Sequence, residues 1–343
     1  MNIRGKMNID LNQYFEKQKK FSGNVLLARN NKIIWNESYG YADKEKRIRN
    51  SPQTKFLIGS MTKPITAICI MQLSERGMLS VQQNLDVFFP DLYKGQEITI
   101  HHLLTHTSGI PDFLSLRKQM KWEEHHTPQE ILQIVKGTKL RFPAGAKWSY
   151  SNTNYLILGL IIEMVSGMRY HQYVRENIFV PAGMEHSGFA DENQENTARN
   201  YIGGARGFYI DPSLCFACGD MVTTAYDYYL LDKALAEGKL LQLQSIQEMR
   251  KPHYNGKNVK YGYGFIIKRD FDCISVCHSG SLPNGYTSHY EKYIADDITI
   301  IVLSNAFVNY PFLLLAGAGG TYISREIASM IYGRKIGILK KIF

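Results

Sequence analysis

Strand-like segments stand at both ends of this chain and helical ones fill the middle, an order that limits the folds open to it. GNVLLARN (23–30) and KIIWNESYGYA (32–42) flank an Asn-Asn pair, the pattern of a hairpin. KYGYGFIIK (260–268), DCISVCHSG (272–280), NGYTSHYEKYIA (284–295) and ITIIVLSNA (298–306) form a second strand-rich block, and TYISREIASMIYG (321–333) carries a last helix. Between them, PQEILQIVKG follows the capping box Thr127-Pro128-Gln129-Glu130, while NTNYLILGLIIEMVSG (152–167) and TTAYDYYLLDKALAEG (223–238) both end at glycine. Strands at both ends with helices between suggest one sheet assembled from distant segments. The expectation is an α+β protein with one mainly antiparallel sheet built from residues 1–80 and 205–343, flanked by helices, with a mainly helical lobe at 81–204. A cleft between sheet and lobe is where a small substrate would sit.

The 343 residues, 44% hydrophobic and 21% charged, suffice for a large core. A net charge of +9 raises the question of anionic partners, but the basic residues are scattered along the sequence and no nucleic-acid-binding motif accompanies them. Four of them fall in the tail RKIGILKKIF (334–343); peripheral contact with an anionic membrane is the minority reading there, and a favourably charged helix end the simpler one. The N-terminus lacks the apolar stretch of a signal peptide, Met7 is an alternative start, and the apolar runs near 155–165 and 312–320 are too short to span a bilayer. The expectation is a soluble protein, cytoplasmic if the chain is complete and exported if a leader was removed. Five cysteines argue against a disulfide scaffold. CFAC (215–218) and CISVCH (273–278) would suggest zinc only if the fold brought them together; Cys215, Cys218, Cys273 and Cys277 are read as buried thiols, and neither metal nor cofactor is expected.

Three short motifs carry chemistry. In SMTK (60–63), Lys63 lies one helical turn beyond Ser60, within reach of its hydroxyl, and a desolvated amine there can act as a base. Ser-x-x-Lys alone proves little, since Ser115-Leu116-Arg117-Lys118 repeats it in a polar stretch. YSN (150–152) precedes the apolar helix and is the one Tyr-x-Asn in the chain. A tyrosine near lysine can release its proton more readily, and Asn152 offers an amide donor and acceptor to a substrate. CHSGS (277–281) ends a strand, read as an edge strand, where Gly280 lets a substrate backbone approach and His278 can bond a carboxylate or the tyrosine. His186-Ser187-Gly188 repeats the triplet without the strand. HLLTH (102–106) lacks the glutamate of a zinc helix, and no Gly-x-Ser-x-Gly elbow exists.

In this order, SMTK, YSN and HSG resemble the active-site set of the serine β-lactamase and penicillin-binding protein superfamily, in the version of class C β-lactamases, D-alanyl-D-alanine carboxypeptidases and related esterases. ITIHHLLTHTSGIPDF (98–113), FVPAGMEHSGF (179–189), CGDMVTTAYDYYLL (218–231) and GYTSHYEKYIADDITIIVLSN (285–305) are similar to family segments too, so the resemblance runs from about residue 20 to 305. It implies an acyl-enzyme on Ser60, with Lys63 and Tyr150 taking and relaying the proton. It also implies an oxyanion hole of the Ser60 and Ser281 N–H groups, and substrate contacts from Asn152, His278, Gly280 and Ser281.

The family's β-lactamases usually carry lysine where this chain has His278, which has no obligate charge at neutral pH. The resemblance therefore implies a peptidase or esterase acting on D-alanyl peptides or small amides and esters, able to bind β-lactams. A class C-like β-lactamase and a penicillin-binding sensor that acylates without turnover are the alternatives.

Overall fold

The computed structural model describes residues 11–192, 195–307 and 319–334, without the side chains of 117–119. The basic tail 335–343 and most of the apolar run 312–320 lie outside them.

Eight antiparallel strands form the main sheet: β1 (Gly23–Arg29), β2 (Lys32–Tyr39), β3 (Tyr254–Asn255), β4 (Lys260–Tyr261), β5 (Ile266–Asp270), β6 (Cys273–Ser281), β7 (Thr287–Tyr293) and β8 (Ile298–Ser304). Their order is β3-β4-β5-β6-β7-β8-β1-β2, so the N-terminal hairpin docks on the last strand of the C-terminal block. Asn30 and Asn31 both adopt left-handed φ, as the tight β1–β2 turn requires. The segment 260–268, which reads as one strand, is instead folded back on itself: Tyr261 pairs with Ile266 around Gly262 and Gly264, the latter at φ +77°.

Strand periodicity divides the sheet's side chains between two cores. Val25, Leu27, Ile300 and Val302 face the C-terminal helix (Gly319–Tyr332) and residues Leu11 and Phe15. Leu26, Leu303 and Ile301 face the larger core, which holds α1 (Thr62–Glu75), α2 (Ile100–Leu104), α3 (Pro128–Lys136), α4 (Asn152–Ser166) and α5 (Ala225–Ala236); the C-terminal helix is α6. Thr127 and Glu130 form the expected capping box of α3. Every residue of α1 from Thr62 to Leu73 is buried, as is every residue of α4 from Asn152 to Ile162. These two helices are apolar around their circumference because both lie inside the fold rather than on it. Their N-terminal ends bring Lys63 and Asn152 together. Among the described residues no helix is long and apolar enough to cross a membrane.

Candidate active site

Ser60 occupies a 3₁₀ turn, Gly59–Met61, leading into α1, rather than the N-cap of the α-helix itself. Gly59 has φ +52°, a left-handed conformation that turns the chain sharply from the short strand Phe56–Leu57 into the helix. Lys63 Nζ then lies 3.0 Å from Ser60 Oγ, 2.8 Å from Asn152 Oδ1 and 2.8 Å from the Cys218 carbonyl oxygen. The amine is fully buried and sits 4.9 Å from the centre of the Tyr150 ring. Burial pulls its pKa below the ordinary lysine value, against the weaker pull of the Cys218 thiol and the Asp112 carboxylate. An amine held on three acceptors, yet with its charged form destabilised, is equipped to exchange a proton with Ser60.

Tyr150 departs from the expectation drawn from its lysine neighbour. Burial drives its pKa well above 10, and the hydrogen bond to Ser60 only moderates the rise. The phenol therefore rests protonated. Beneath it lies His106, with ring centres 4.3 Å apart, itself fully buried and held neutral by desolvation and by Lys63. The His106 Nδ1 accepts the Ser151 N–H at 3.2 Å, which aims the YSN segment. HLLTH thus supplies a packing histidine to this site.

Strand β6 is interior to the sheet, contrary to the edge expected of it, because β3–β5 extend the sheet beyond it. Its pairing with β5 nevertheless ends at Cys277, so residues 278–281 have a locally free edge. The nucleophile segment lies against that edge. A Cβ on Gly280 would come within 1.9 Å of the Ile58 carbonyl oxygen, and one on Gly59 within 3.2 Å of the Ser281 nitrogen. The backbone approach leaves no room for a side chain at Gly280, whereas at Gly59 the contact is merely tight and the left-handed φ is what favours glycine.

His278 faces inward rather than toward a substrate carboxylate or the Tyr150 hydroxyl. Its Nδ1 lies 2.7 Å from the Ser279 carbonyl oxygen and its Nε2 3.1 Å from the Tyr261 hydroxyl. These partners match a neutral ring that donates from Nδ1 and accepts at Nε2. Burial, reinforced by Lys63, depresses its pKa to about 3. The strand end therefore has an uncharged group where a lysine would place a cation.

Asp112 is a contributor that the motifs do not reveal. Its Oδ2 accepts the Asn152 amide at 3.0 Å, turning the other end of that amide toward Lys63. It stands in the GIPDF run, and only its bond to the Asn152 amide, forty residues away in the chain, shows its use. The Cys218 carbonyl is equally invisible in a reading of side chains. Ser60, Asn152 and Ser281 open onto a small cleft of about 70 Å³ with apolar walls that include Phe113, Trp122 and Leu282.

The decoys fall elsewhere. Ser115 Oγ donates to the Asp112 carbonyl in an exposed turn. His186-Ser187-Gly188 does enter a short strand, Gly188–Phe189, but Ser187 is bonded to Thr223 and Asp227. Cys218 and Cys277 are buried as expected, whereas Cys215 and Cys273 are only half-buried. The two cysteine pairs do not gather. Cys277 instead approaches His289 and Glu291 closely enough for a shared ion, but the Glu291 carboxylate is already paired with the Arg325 guanidinium at 2.9 Å. His171, Asp191 and Glu192 form a second such group, in which His171 is bonded to Asp220 and Glu192 to Arg175.

A mixed fold with a large antiparallel sheet holds, at the start of its central helix, a half-buried serine bonded to a buried lysine amine, the pairing that a serine nucleophile and its base require. The chain belongs to the beta-lactamase family, whose model matches residues 11–316. It is 35% identical over 268 residues to PbpX of Bacillus subtilis, named as a penicillin-binding protein, covering 76% of this chain and 66% of PbpX, just under two thirds of that relative. Among solved structures it resembles a penicillin binding protein from Bacillus halodurans, with 30% identity, a TM-score of 0.77, and coverage of 85% of this chain and 94% of that one. It also resembles a D-amino acid amidase from Ochrobactrum anthropi SV3 complexed with L-phenylalanine amide. There the identity is 25%, the TM-score 0.80, and coverage 97% of this chain and 98% of the amidase.

Proposed function

We propose that this protein hydrolyses amides or esters of small D-amino acids, including D-alanyl peptides, through an acyl-enzyme on Ser60. The observation that carries the reading is the buried Lys63 amine, 3.0 Å from Ser60 Oγ and held by Asn152 and the Cys218 carbonyl. In this scheme Lys63 takes the Ser60 proton as Oγ bonds to the substrate carbonyl carbon, and the Ser60 and Ser281 N–H groups receive the oxyanion. The carbonyl then re-forms and the bond to the leaving nitrogen or oxygen breaks. Tyr150, protonated at rest, gives its proton to that atom and regains one from Lys63. Water releases the acid by the same steps in reverse.

Two observations favour neutral amides and esters over substrates that depend on a tightly held carboxylate. His278 is uncharged with both ring nitrogens occupied, and the cleft beside Ser60 has apolar walls and little volume. The likeness to a D-amino acid amidase supports the same substrate class.

The test pairs turnover with intact mass. D-alanine amide, D-phenylalanine amide and their methyl esters are offered beside the L-isomers, with wild type and Ser60→Ala. Release of product from D-isomers by wild type alone is the expected result. A penicillin adduct that forms on wild type, persists, and comes with no D-amide or ester turnover would replace the reading with a non-turnover sensor. Rapid penicillin hydrolysis would replace it with a β-lactamase.

A further inference from the structure

Five basic residues from two separate stretches of the sequence, Lys19, Lys20, Lys44, Arg47 and Arg49, meet in space away from Ser60. Ser281, Thr287, Ser304, Gly23 and Tyr39 are successive partners in one row across β6, β7, β8, β1 and β2. Four strand spacings separate the first from the last, roughly 19 Å. At the Tyr39 end opens a cavity of about 740 Å³, lined among others by Lys19, Lys20, Lys44, Arg47, Arg49 and Tyr41.

The chain builds this rim from two places. Lys19 and Lys20 follow the N-terminal helical turn, and the other three cations belong to the small hairpin of Tyr41–Asp43 and Ile48–Arg49. Arg47 has φ +57°, part of the turn that carries the chain from Lys44 back to Arg49. The Arg49 guanidinium lies 4.4 Å from the Tyr41 ring centre, and Lys44 Nζ lies 4.4 Å from that of Tyr201. These contacts hold both cations without neutralising them. The hairpin's own carboxylates are directed elsewhere: Asp43 pairs with Arg199 at 2.9 Å, and Glu45 approaches Arg199 and the Tyr201 hydroxyl. Among the described residues none of the five cations forms an ion pair with a carboxylate.

Like charges gathered around a concavity repel one another in the folded state and focus a positive potential into it. We infer that this cavity is a binding site for a compact oligoanion of the polyphosphate type, separate from the Ser60 cleft. Phosphate groups bring up to about two charges each, and both lysine point charges and arginine forks suit them. The volume lies in the range of small-ligand sites. Phe15 and Phe21, which also line it, are buried and offer nothing to a bilayer, whereas Ile48 between the two arginines is exposed; a membrane surface is therefore the rival to exclude.

The test is calorimetric titration of the full chain with inorganic tripolyphosphate at 50 mM and 300 mM salt. Two variants follow: Lys44→Gln/Arg47→Gln/Arg49→Gln in the cavity, and Lys32→Gln/Lys257→Gln/Lys260→Gln as a control with the same loss of charge at exposed positions elsewhere. Phosphatidylglycerol vesicles form a separate arm. The expected result is saturable one-site binding that weakens at least tenfold at the higher salt, falls at least tenfold in the cavity variant and stays within threefold in the control. If the cavity variant melts early, Lys19→Gln/Lys20→Gln replaces it with the same expectation. No binding by wild type at low salt, equal loss in both variants, or binding to vesicles without binding to tripolyphosphate would each overturn the inference.

Discussion

Gly280→Ala tests whether the close approach of two backbones sets the reactive geometry. Gly280 has an ordinary strand conformation rather than a left-handed one, so alanine meets no torsional penalty there. The obstacle is space. Its Cβ would stand 1.9 Å from the Ile58 carbonyl oxygen and 2.4 Å from Ser288 Oγ, which itself donates to that carbonyl at 2.6 Å. Moving the oxygen from 1.9 Å to the 3.0 Å floor of real Cβ contacts requires a shift of at least 1.1 Å, and the obstacle is backbone, not a flexible side-chain end. Ile58 lies two residues before Ser60 and Gly280 one before Ser281, so the displacement falls between the nucleophile and the proposed second oxyanion donor. A misplacement of about 1 Å costs on the order of a hundredfold in rate, and an overpacked core position costs about 1–3 kcal/mol in stability. The assay is the rate of acylation by a chromogenic ester or a fluorescent penicillin, read beside a calorimetric melt. Gly95→Ala serves as the control, being at φ +72° with nothing within 4 Å of its Cβ: it should lose about 1 kcal/mol and no activity. A Gly280→Ala protein that melts normally and acylates within threefold of wild type would refute the reasoning.

Acylation should rise with pH along a limb whose midpoint lies below the ordinary lysine value of 10.5, because Lys63 must shed its proton to act and burial lowers its pKa; a midpoint at or above 10.5 in a rate profile would count against it as the base. The unfolded chain holds that proton more tightly, so between the folded and unfolded pKa values Lys63 makes stability increase with pH. His278 should not titrate between pH 4.5 and 8, since its pKa is depressed to about 3; a constant ring proton shift by NMR across that range is the expected observation. Arg325→Met should cost about 3–5 kcal/mol in urea unfolding, because it strands the buried Glu291 carboxylate and removes the partner of Asp270.

Local patterning was a good guide to the elements. The apolar runs of β1 and β8 and the capping box of α3 are visible as letters, since each depends on residues a few positions apart. It failed at 260–268, where a continuous apolar-aromatic run hides a reversal that Gly262 and Gly264 permit and pairing with β5 selects. The position of β6 was misread for a related reason. Whether a strand is an edge depends on how far its neighbours extend, and the pairing of β6 with β5 ends at Cys277, opposite Ile266, for reasons that lie outside the HSG motif.

The candidate site divides along the same line. Sequence alone determined which residue types stand in which order, and hence the family and the identity of Ser60, Lys63, Tyr150 and Asn152 as candidates. Proton states were decided by tertiary structure, because a pKa depends on solvent exclusion and on charges that arrive from distant segments. Burial lowers Lys63 but raises Tyr150, and it silences His278 between Tyr261 and Ser279. Asp112 and the Cys218 carbonyl join the site only when residues 112, 152 and 218 fold around one amine. The grouping of Lys19 and Lys20 with Lys44, Arg47 and Arg49 has the same origin: charges counted along a chain become a field only when the fold gives them distances.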